Sequence, residues 1–323
     1  MLKILLVKMS SMGDLVHNLP LVSDLLAFAP EAQIDWVAEE AYAPIPALHP
    51  GVRRVLPVAW RRWRKQLGQV AAWREMGAFK AVLQAEHYDL ILDTQGLWKS
   101  LAIGKLAHGR IVGGDRHSIK EGGAALFYDQ ALPIAWSRHV IDRCRAVGAG
   151  ALGYAIDTPP RFNIRAEPLV ADWLPNGHYC VLMHAASRPE KLWPEAHWAA
   201  LGRHLAERGL AAVLPWGSTE EKARAERLAA ALPGAVVPPL MPLDVAARFL
   251  VGARLVVGLD TGFTHFAAAL ARPTVGIFCD SDGAQAAVYG DAFCKSFGRK
   301  GAPPDYPTVL SAVDEALASA GVA

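Results

Sequence analysis

The stretch Lys3–Leu19, KILLVKMSSMGDLVHNL, constrains the chain more than any other. Its start, Leu2–Val7, is short and almost wholly apolar, the pattern of a strand buried on both faces of a parallel sheet. Ser10, Ser11, Met12 and Gly13 break that run, and Leu15, Leu19, Val22, Leu25 and Leu26 then recur at helical spacing. A strand, a tight turn and a helix in succession begin an open α/β sheet, and such sheets keep their ligands beyond the carboxyl ends of the strands. Asp14 stands at that edge. Two readings of it are open: a reacting carboxylate, or a cap on the following helix, since Asp is a favoured N-cap. The single glycine excludes a dinucleotide fingerprint, which needs three.

The alternation continues along the chain and predicts βα units with parallel sheets. Strands are expected at Leu2–Val7, Ile34–Ala38, Arg54–Val58, Leu90–Asp93 and Arg110–Gly113, with helices at Leu15–Ala29, Gln69–Glu86, Leu97–His108 and Trp136–Val147. Gly148–Arg165 holds glycines, Thr158-Pro159-Pro160 and little periodicity, and reads as a linker. A second alternation follows. Its strands are Tyr179–Met183, Ala211–Pro215, Leu255–Leu259 and Thr274–Phe278, and its helices Glu195–Arg208, Glu220–Ala231, Leu243–Val251, Thr264–Ala271 and Thr308–Ala320. A chain of 323 residues is natural for two domains, here 1–155 and 156–323. Two doubly wound, Rossmann-like α/β domains on a short linker imply a central cleft faced by both rows of strand ends.

No apolar run approaches the ~20 residues of a membrane-spanning helix, and no signal-peptide pattern precedes the first strand. Cys144, Cys180, Cys279 and Cys294 form no CxxC pair and read as reduced thiols of a cytosolic protein. The net charge of +2 is uneven: residues 1–150 hold 18 Lys and Arg against 14 Asp and Glu. Between Glu40 and Glu75 there is no acid, yet Arg53, Arg54, Arg61, Arg62, Arg64, Lys65 and Arg74 lie there. Such a strip calls for an anionic partner. Nucleic acid is disfavoured, because the chain has no nucleic-acid module and little net charge.

Four stretches carry the candidate chemistry. In Val256–Ala271, VVGLDTGFTHFAAALA, a buried strand ends at Asp260 and a helix begins near Thr264. The amides of Thr261, Gly262 and the first helical turn suit a diphosphate, and His265 can bond phosphate or sugar. In HAASRPEKLW, Ser187, Arg188 and Lys191 follow a strand, and a lysine there offers a compact charge for phosphate. In LPWGSTEE, Glu221 can accept from ribose hydroxyls or simply sit as an acid in a first helical turn. WRRWRK, with Arg61, Arg62, Arg64 and Lys65, suits anionic headgroups. His139 and Arg143, spaced i, i+4, and Lys120 extend this basic surface. Asp280-Ser281-Asp282 reads DxD, but three residues are a weak metal signature. The eleven histidines make no HExxH or Cys/His spacing, so no metal is expected.

Taken in order, KMSSMGD, WVAEEAYAPIP, RRWRK, DTQGLWKS, KLWPEAHW, LPWG and DTGFTH resemble the heptosyltransferases of glycosyltransferase family 9 over nearly the whole length. The resemblance implies a GT-B fold, often with the last helix crossing back to the first domain. It implies inverting, metal-independent transfer of L-glycero-D-manno-heptose from ADP-heptose to the Kdo region of lipid A, with no cofactor. The setting is the cytoplasmic face of the inner membrane, in peripheral contact with its anionic surface. Asp14 would then be the general base. Lys191, Ser187, Asp260, Thr261, Gly262 and His265 would hold diphosphate and heptose, and Glu221 would face the nucleoside. Arg61, Arg62, Arg64, Lys65, Lys120, His139 and Arg143 would meet the acidic acceptor. The chain departs from the family at Ala186-Ser187, where two threonines are common, at Cys279–Gly283 in place of GPTDP, and at Lys120, where arginine is common. The alternatives are a sister enzyme with a heptose acceptor, a nucleotide-sugar epimerase, and a non-catalytic nucleotide-binding protein.

Overall fold

The computed structural model describes residues 1–319 and residue 321. The chain forms two compact units, Met1–Asn163 and Ile164–Ala323. The first is built on β1 (Lys3–Val7), β2 (Gln33–Glu39), β3 (Val52–Val58), β4 (His87–Asp93), β5 (His108–Gly114) and β6 (Gln130–Leu132). All pair in parallel, in the order β3-β2-β1-β4-β5-β6. The second is built on β7 (Tyr179–Met183), β8 (Ala211–Val213), β9 (Leu255–Leu259), β10 (Thr274–Ile277) and β11 (Cys294–Phe297). It is also wholly parallel, in the order β11-β10-β9-β7-β8. Both are doubly wound orders, as expected. The strand order reverses between β1 and β4 in one and between β7 and β9 in the other.

The apolar runs fill the cores. Ile4–Val7 are fully buried, and Leu5 and Val7 pack with Val37, Leu56, Val58 and Ile91. In the second unit Leu182, Val257 and Ile277 meet Trp193, Trp198 and Leu201, and the last helix, Tyr306–Ser319, adds Val309, Val313 and Ala316. Ala320, at the expected end of that helix, lies outside the described residues. No helix among the described residues is long and apolar enough to cross a membrane.

Two strands, β6 and β11, were not expected. Each is a short edge strand of three or four residues with polar positions, so neither shows an apolar run. The helix expected at Trp136–Val147 runs Val140–Leu152 instead. The glycine at 148 is there for close approach rather than for breaking the chain: a Cβ would lie 2.4 Å from Leu21 Cδ1 on the helix Met12–Phe28. The helix ends at Gly153, whose φ of 77° suits glycine. The chain beyond it stays with the first unit. Buried Arg145 forks onto Asp24 at 2.7 and 3.0 Å and donates to the Thr158 carbonyl at 2.9 Å. Phe162 is buried, and Asn163 donates to Ser23. The first unit accordingly runs to Asn163, within the expected linker region 148–165.

Two arginines of the basic strip belong to this framework. Arg53 forks onto buried Asp35 at 2.8 and 2.7 Å, Arg54 adds a bond at 2.8 Å, and the Tyr88 hydroxyl donates at 2.7 Å. Burial pushes the Asp35 carboxyl up, but its bonds from Arg53, Tyr88 and Arg54 outweigh that and hold it below the ordinary 3.8. Asp35→Ala removes the buried partner of two arginines, which keep Glu86 at 3.3 and 3.6 Å, and is expected to cost about 3 kcal/mol at neutral pH, measured by urea unfolding. Because the folded value is depressed, the loss should be full above pH 3.8 and shrink as pH falls through the folded value.

Candidate active site

At the first reversal, two loops clamp each other. Lys8, following β1 and buried, donates its Nζ to the Thr94 carbonyl beyond β4 at 2.8 Å. Gln95 returns the contact: its Oε1 accepts from the Met9 amide at 2.7 Å, and its Nε2 donates to the Ser10 carbonyl at 2.9 Å. Lys99 adds a bond from Nζ to Ser10 Oγ at 2.7 Å. Gln95 is itself held by Asp93, the buried end of β4, which accepts from the Gln95 and Gly96 amides at 2.9 and 3.0 Å and from Ser100 and Tyr128 hydroxyls. Gly96 takes φ +66°, a conformation glycine adopts without strain. Burial raises the Asp93 carboxyl above its ordinary value.

The clamp sets where the helix Met12–Phe28 starts. Ser11 is its N-cap, so Asp14 is not the cap itself. Asp14 Oδ2 accepts from the Ser11 amide at 2.6 Å and from Ser11 Oγ at 2.8 Å. Both readings of Asp14 thus meet in one residue: it closes the first turn and also lines a cavity of about 400 Å³ with Lys8, Ser10, Gln95, Lys120, Trp136 and Arg143. Arg143 stacks over Trp136 at 3.6 Å and donates to the Ser118 carbonyl at 3.3 Å. Its pKa is lowered by burial, and Lys99 is lowered by burial and by the nearby Arg61 charge. Cations of this kind can hold an anion, and a carboxylate beside them, Asp14, can take a proton from a hydroxyl.

The other expected acceptor residues separate. Arg61, Arg62 and Lys65 line a second hollow with Glu39 and Glu40. Arg62 is already neutralised, by Glu40 at 3.0 Å and Glu75 at 2.8 Å. Arg61 donates to the Tyr42 hydroxyl at 3.0 Å. Arg64 is exposed. His139 is the N-cap of the helix Val140–Leu152, its Nδ1 accepting from the Ile141 amide at 3.3 Å, so the expected i, i+4 face with Arg143 does not form within the helix. Lys8, Gln95, Lys99 and Trp136 were missed. Lys8 directly follows the first apolar run and Gln95 lies in the DTQG motif, which were the signals available.

At the second reversal, β9 ends at Leu259, and Asp260 follows, opposite the loop after β7. Lys191, on the single turn Pro189–Lys191, reaches Asp260 Oδ2 at 2.7 Å, and His265 Nε2 lies 3.4 Å from Oδ1. Burial pushes the Asp260 carboxyl up, yet the bonds from His265 and Lys191 hold it far below the ordinary range. The helix begins at Gly262, two residues earlier than expected, with Thr261 as N-cap. Thr264 is turned inward: its hydroxyl donates to the Leu259 carbonyl at 2.6 Å, so the two threonines do not both face a ligand. Ser187 is exposed, and Glu221 accepts from the Gly217 amide at 2.7 Å as part of its own helix start. Asp280 of the DxD pattern pairs with Arg188 at 3.0 Å. Among the described residues no His, Cys, Asp and Glu side chains group to hold a metal.

Two doubly wound parallel units, each with a lysine and a carboxylate at its reversal point, are the architecture of the GT-B glycosyltransferases. The family model for glycosyltransferase family 9 (heptosyltransferase) matches residues 76–300, and the chain belongs to that family. It is 43% identical over 294 residues to lipopolysaccharide heptosyltransferase 1 of Pseudomonas aeruginosa, covering 90% of this chain and 82% of that one. The Escherichia coli heptosyltransferase WaaC with ADP aligns at a TM-score of 0.88 and 38% identity, over 98% of this chain and all of that one. The same protein with ADP-2-deoxy-2-fluoro heptose aligns at 0.82 and 38% identity, over 97% and 98%.

Gln95→Ala removes both bonds that fix Met9 and Ser10 while leaving every charge in place. It is expected to lower kcat about 10- to 100-fold through misplacement of Asp14, with ADP affinity unchanged. Steady-state kinetics beside ADP titration calorimetry checks this.

Proposed function

We propose that this heptosyltransferase moves L-glycero-D-manno-heptose from ADP-heptose to the Kdo region of Kdo-lipid A, building the lipopolysaccharide inner core from the cytoplasmic face of the inner membrane. The observation that carries the reading is the Asp14 cavity: Lys8, Lys120 and Arg143 line it with two carboxylates, Asp14 and Asp93, and Asp93 is already taken up by bonds from Gln95, Gly96, Ser100 and Tyr128. Kdo bears a carboxylate, which such cations hold, whereas a heptose acceptor would leave them without a partner. The name and ligands of the similar proteins support the donor and the lipopolysaccharide acceptor.

The units divide the work. The second holds the donor: Lys191, the Thr261–Gly262 amides and His265 take the diphosphate and heptose, with Ser187 and Glu221 toward sugar and nucleoside. The first holds the acceptor: Lys120 and Arg143 in the cavity, with Arg61 and Lys65 at the second hollow and Arg64 exposed, while Arg62 is engaged by Glu40 and Glu75 and His139 caps its helix. The acceptor oxygen attacks the anomeric carbon as the bond to phosphate breaks. Asp14 takes the hydroxyl proton, the bond's electron pair leaves with ADP, and the configuration inverts. Charge grows on the diphosphate through this step, and Lys191 with the helix N-terminus is preorganised to meet it.

Asp14→Asn keeps the bonds from Ser11 within reach but cannot take the proton. Release of ADP from ADP-heptose should depend on added Kdo-lipid A in the wild type and fall about 10²- to 10⁴-fold in the variant, with ADP affinity intact. ADP release without acceptor would point to an epimerase or hydrolase instead. Transfer is also expected to persist in EDTA, since Lys191 supplies the cation at the diphosphate and Asp280 is held by Arg188. Loss in chelator restored by magnesium or manganese would give Asp280 and Asp282 a metal.

A further inference from the structure

Two cations of one turn in the second unit hold two carboxylates beyond the ends of adjacent strands. Lys191 pairs with Asp260, past β9, at 2.7 Å, and Arg188 pairs with Asp280, past β10, at 3.0 Å. Arg188 opens the single turn Pro189–Lys191, and residues three apart in so tight a turn stand on one side of it. In the sheet β9 lies between β7 and β10, so the Arg188–Asp280 bridge joins the loops on either side of β9, across the end where the Asp260-Thr261-Gly262 turn begins. The two bridges differ in exposure. The Lys191 and Asp260 side chains are 18% and 15% exposed, whereas that of Arg188 is 55% exposed against 17% for Asp280. Asp280 is the fixed end: it follows buried Cys279, whose carbonyl accepts from the Gly301 amide at 3.0 Å. Arg188 is the end that can swing, and one exposed ion pair holds it weakly. Asp280 also falls in Cys279–Gly283, where the chain departs from the GPTDP of its family, and a proline at that place could not hold an arginine.

We propose that Arg188 is a shared cation of the donor site: Asp280 holds it in the free protein, and the diphosphate of the donor takes it on binding. Asp280 thereby competes with the diphosphate and loosens the hold on ADP. While one carboxylate keeps the guanidinium, the two charges cancel at close range and little field is left for a second anion. A diphosphate is the stronger claimant, because it carries more charge than a carboxylate and accepts the same planar fork. The more buried Lys191–Asp260 pair stays in place through the exchange. When ADP leaves, Asp280 takes the arginine back, so release does not strand a cation. The proposal rests on the reading that the second unit holds an ADP-sugar at this turn.

The test is calorimetric titration of the full chain with ADP at low salt, in EDTA so that no metal ion competes for Asp280, with adenosine as the uncharged control. Asp280→Asn should bind ADP about fivefold more tightly than the wild type, and the gain should shrink as salt rises. Asp280→Glu keeps the competing charge and should stay within about twofold of the wild type. Arg188→Gln should bind ADP about tenfold more weakly. In the Arg188→Gln background, adding Asp280→Asn should change ADP affinity by less than about twofold, since no arginine is left to release. Adenosine should bind every variant within about twofold of the wild type, which also reports that the site is folded. Weaker ADP binding in Asp280→Asn would make the bridge a brace of the site and overturn the proposal. Unchanged affinity in that variant overturns it as well, and so does a gain that persists without Arg188, which would be plain repulsion by Asp280. Wild type that binds adenosine but gains nothing from the diphosphate removes the donor reading itself, whereas wild type that binds ADP with any of the three failures removes only the exchange.

Discussion

Where the strand order of a parallel sheet reverses, the two central strands send their chains to opposite faces, and the space beyond their carboxyl ends is left open. Everything chemical in this protein depends on that constraint. It brings Lys8 and Asp14 after β1 beside Thr94 and Gln95 after β4. In the other sheet it brings Lys191 after β7 to Asp260 after β9, although 69 residues separate them. Loops leaving adjacent strands have no other reason to stay close. Each pair is then locked by a contact across the reversal, from Lys8 to the Thr94 carbonyl in one case and from Lys191 to the Asp260 carboxylate in the other.

The basic character of the first unit divides along the same geometry. Arg53 and Arg54 serve Asp35, and Arg62 serves Glu40 and Glu75. A guanidinium that already holds a carboxylate at under about 3 Å offers little to a second anion, because the field of one charge cancels the other at close range. What is left for a ligand is Lys120 and Arg143 in the cavity, Arg61 and Lys65 at the second hollow, and the exposed cations of residues 64–74. The seven cations of the strip thus divide into framework (Arg53, Arg54 and Arg62), second hollow (Arg61 and Lys65) and surface (Arg64 and Arg74).

Much of this was legible beforehand, and the limits are physical. The central strands could be read because burial on both faces demands an unbroken apolar run, and the edge strands β6 and β11 could not, because half of such a strand faces solvent. Asp260 was legible because a carboxylate directly after an apolar run must sit at the strand end, and Lys191 because it lies in the loop that follows the apolar run of β7. Gln95 was not, since an uncharged amide gains its role only from backbone groups of a distant loop. His139 was misplaced on a helix face because helical spacing says nothing about where a helix begins, and the side chain serves as its cap. Gly148 was taken for a breaker when its use is contact with Leu21, which only the packing of two helices reveals.

Two carboxylates occupy equivalent places, each just past a central strand, and their neighbours give them opposite work. Asp260 accepts from Lys191 at 2.7 Å and lies 3.4 Å from His265, and it is held far below the ordinary carboxylate range. Its charge is used to orient cations, so it is a poor group to take up a proton. In the proposed reaction its value would be that Lys191 is already held in place when negative charge develops on the leaving group, with no reorganisation at that moment. Among the described residues Asp14 accepts from the neutral amide and hydroxyl of Ser11 and has no ion pair, and its carboxylate lines the cavity proposed for the acceptor. A direct displacement needs one base and one stabiliser of the departing charge, and the difference in partners supports the proposal of Asp14 for the first task and the Lys191–Asp260 pair for the second.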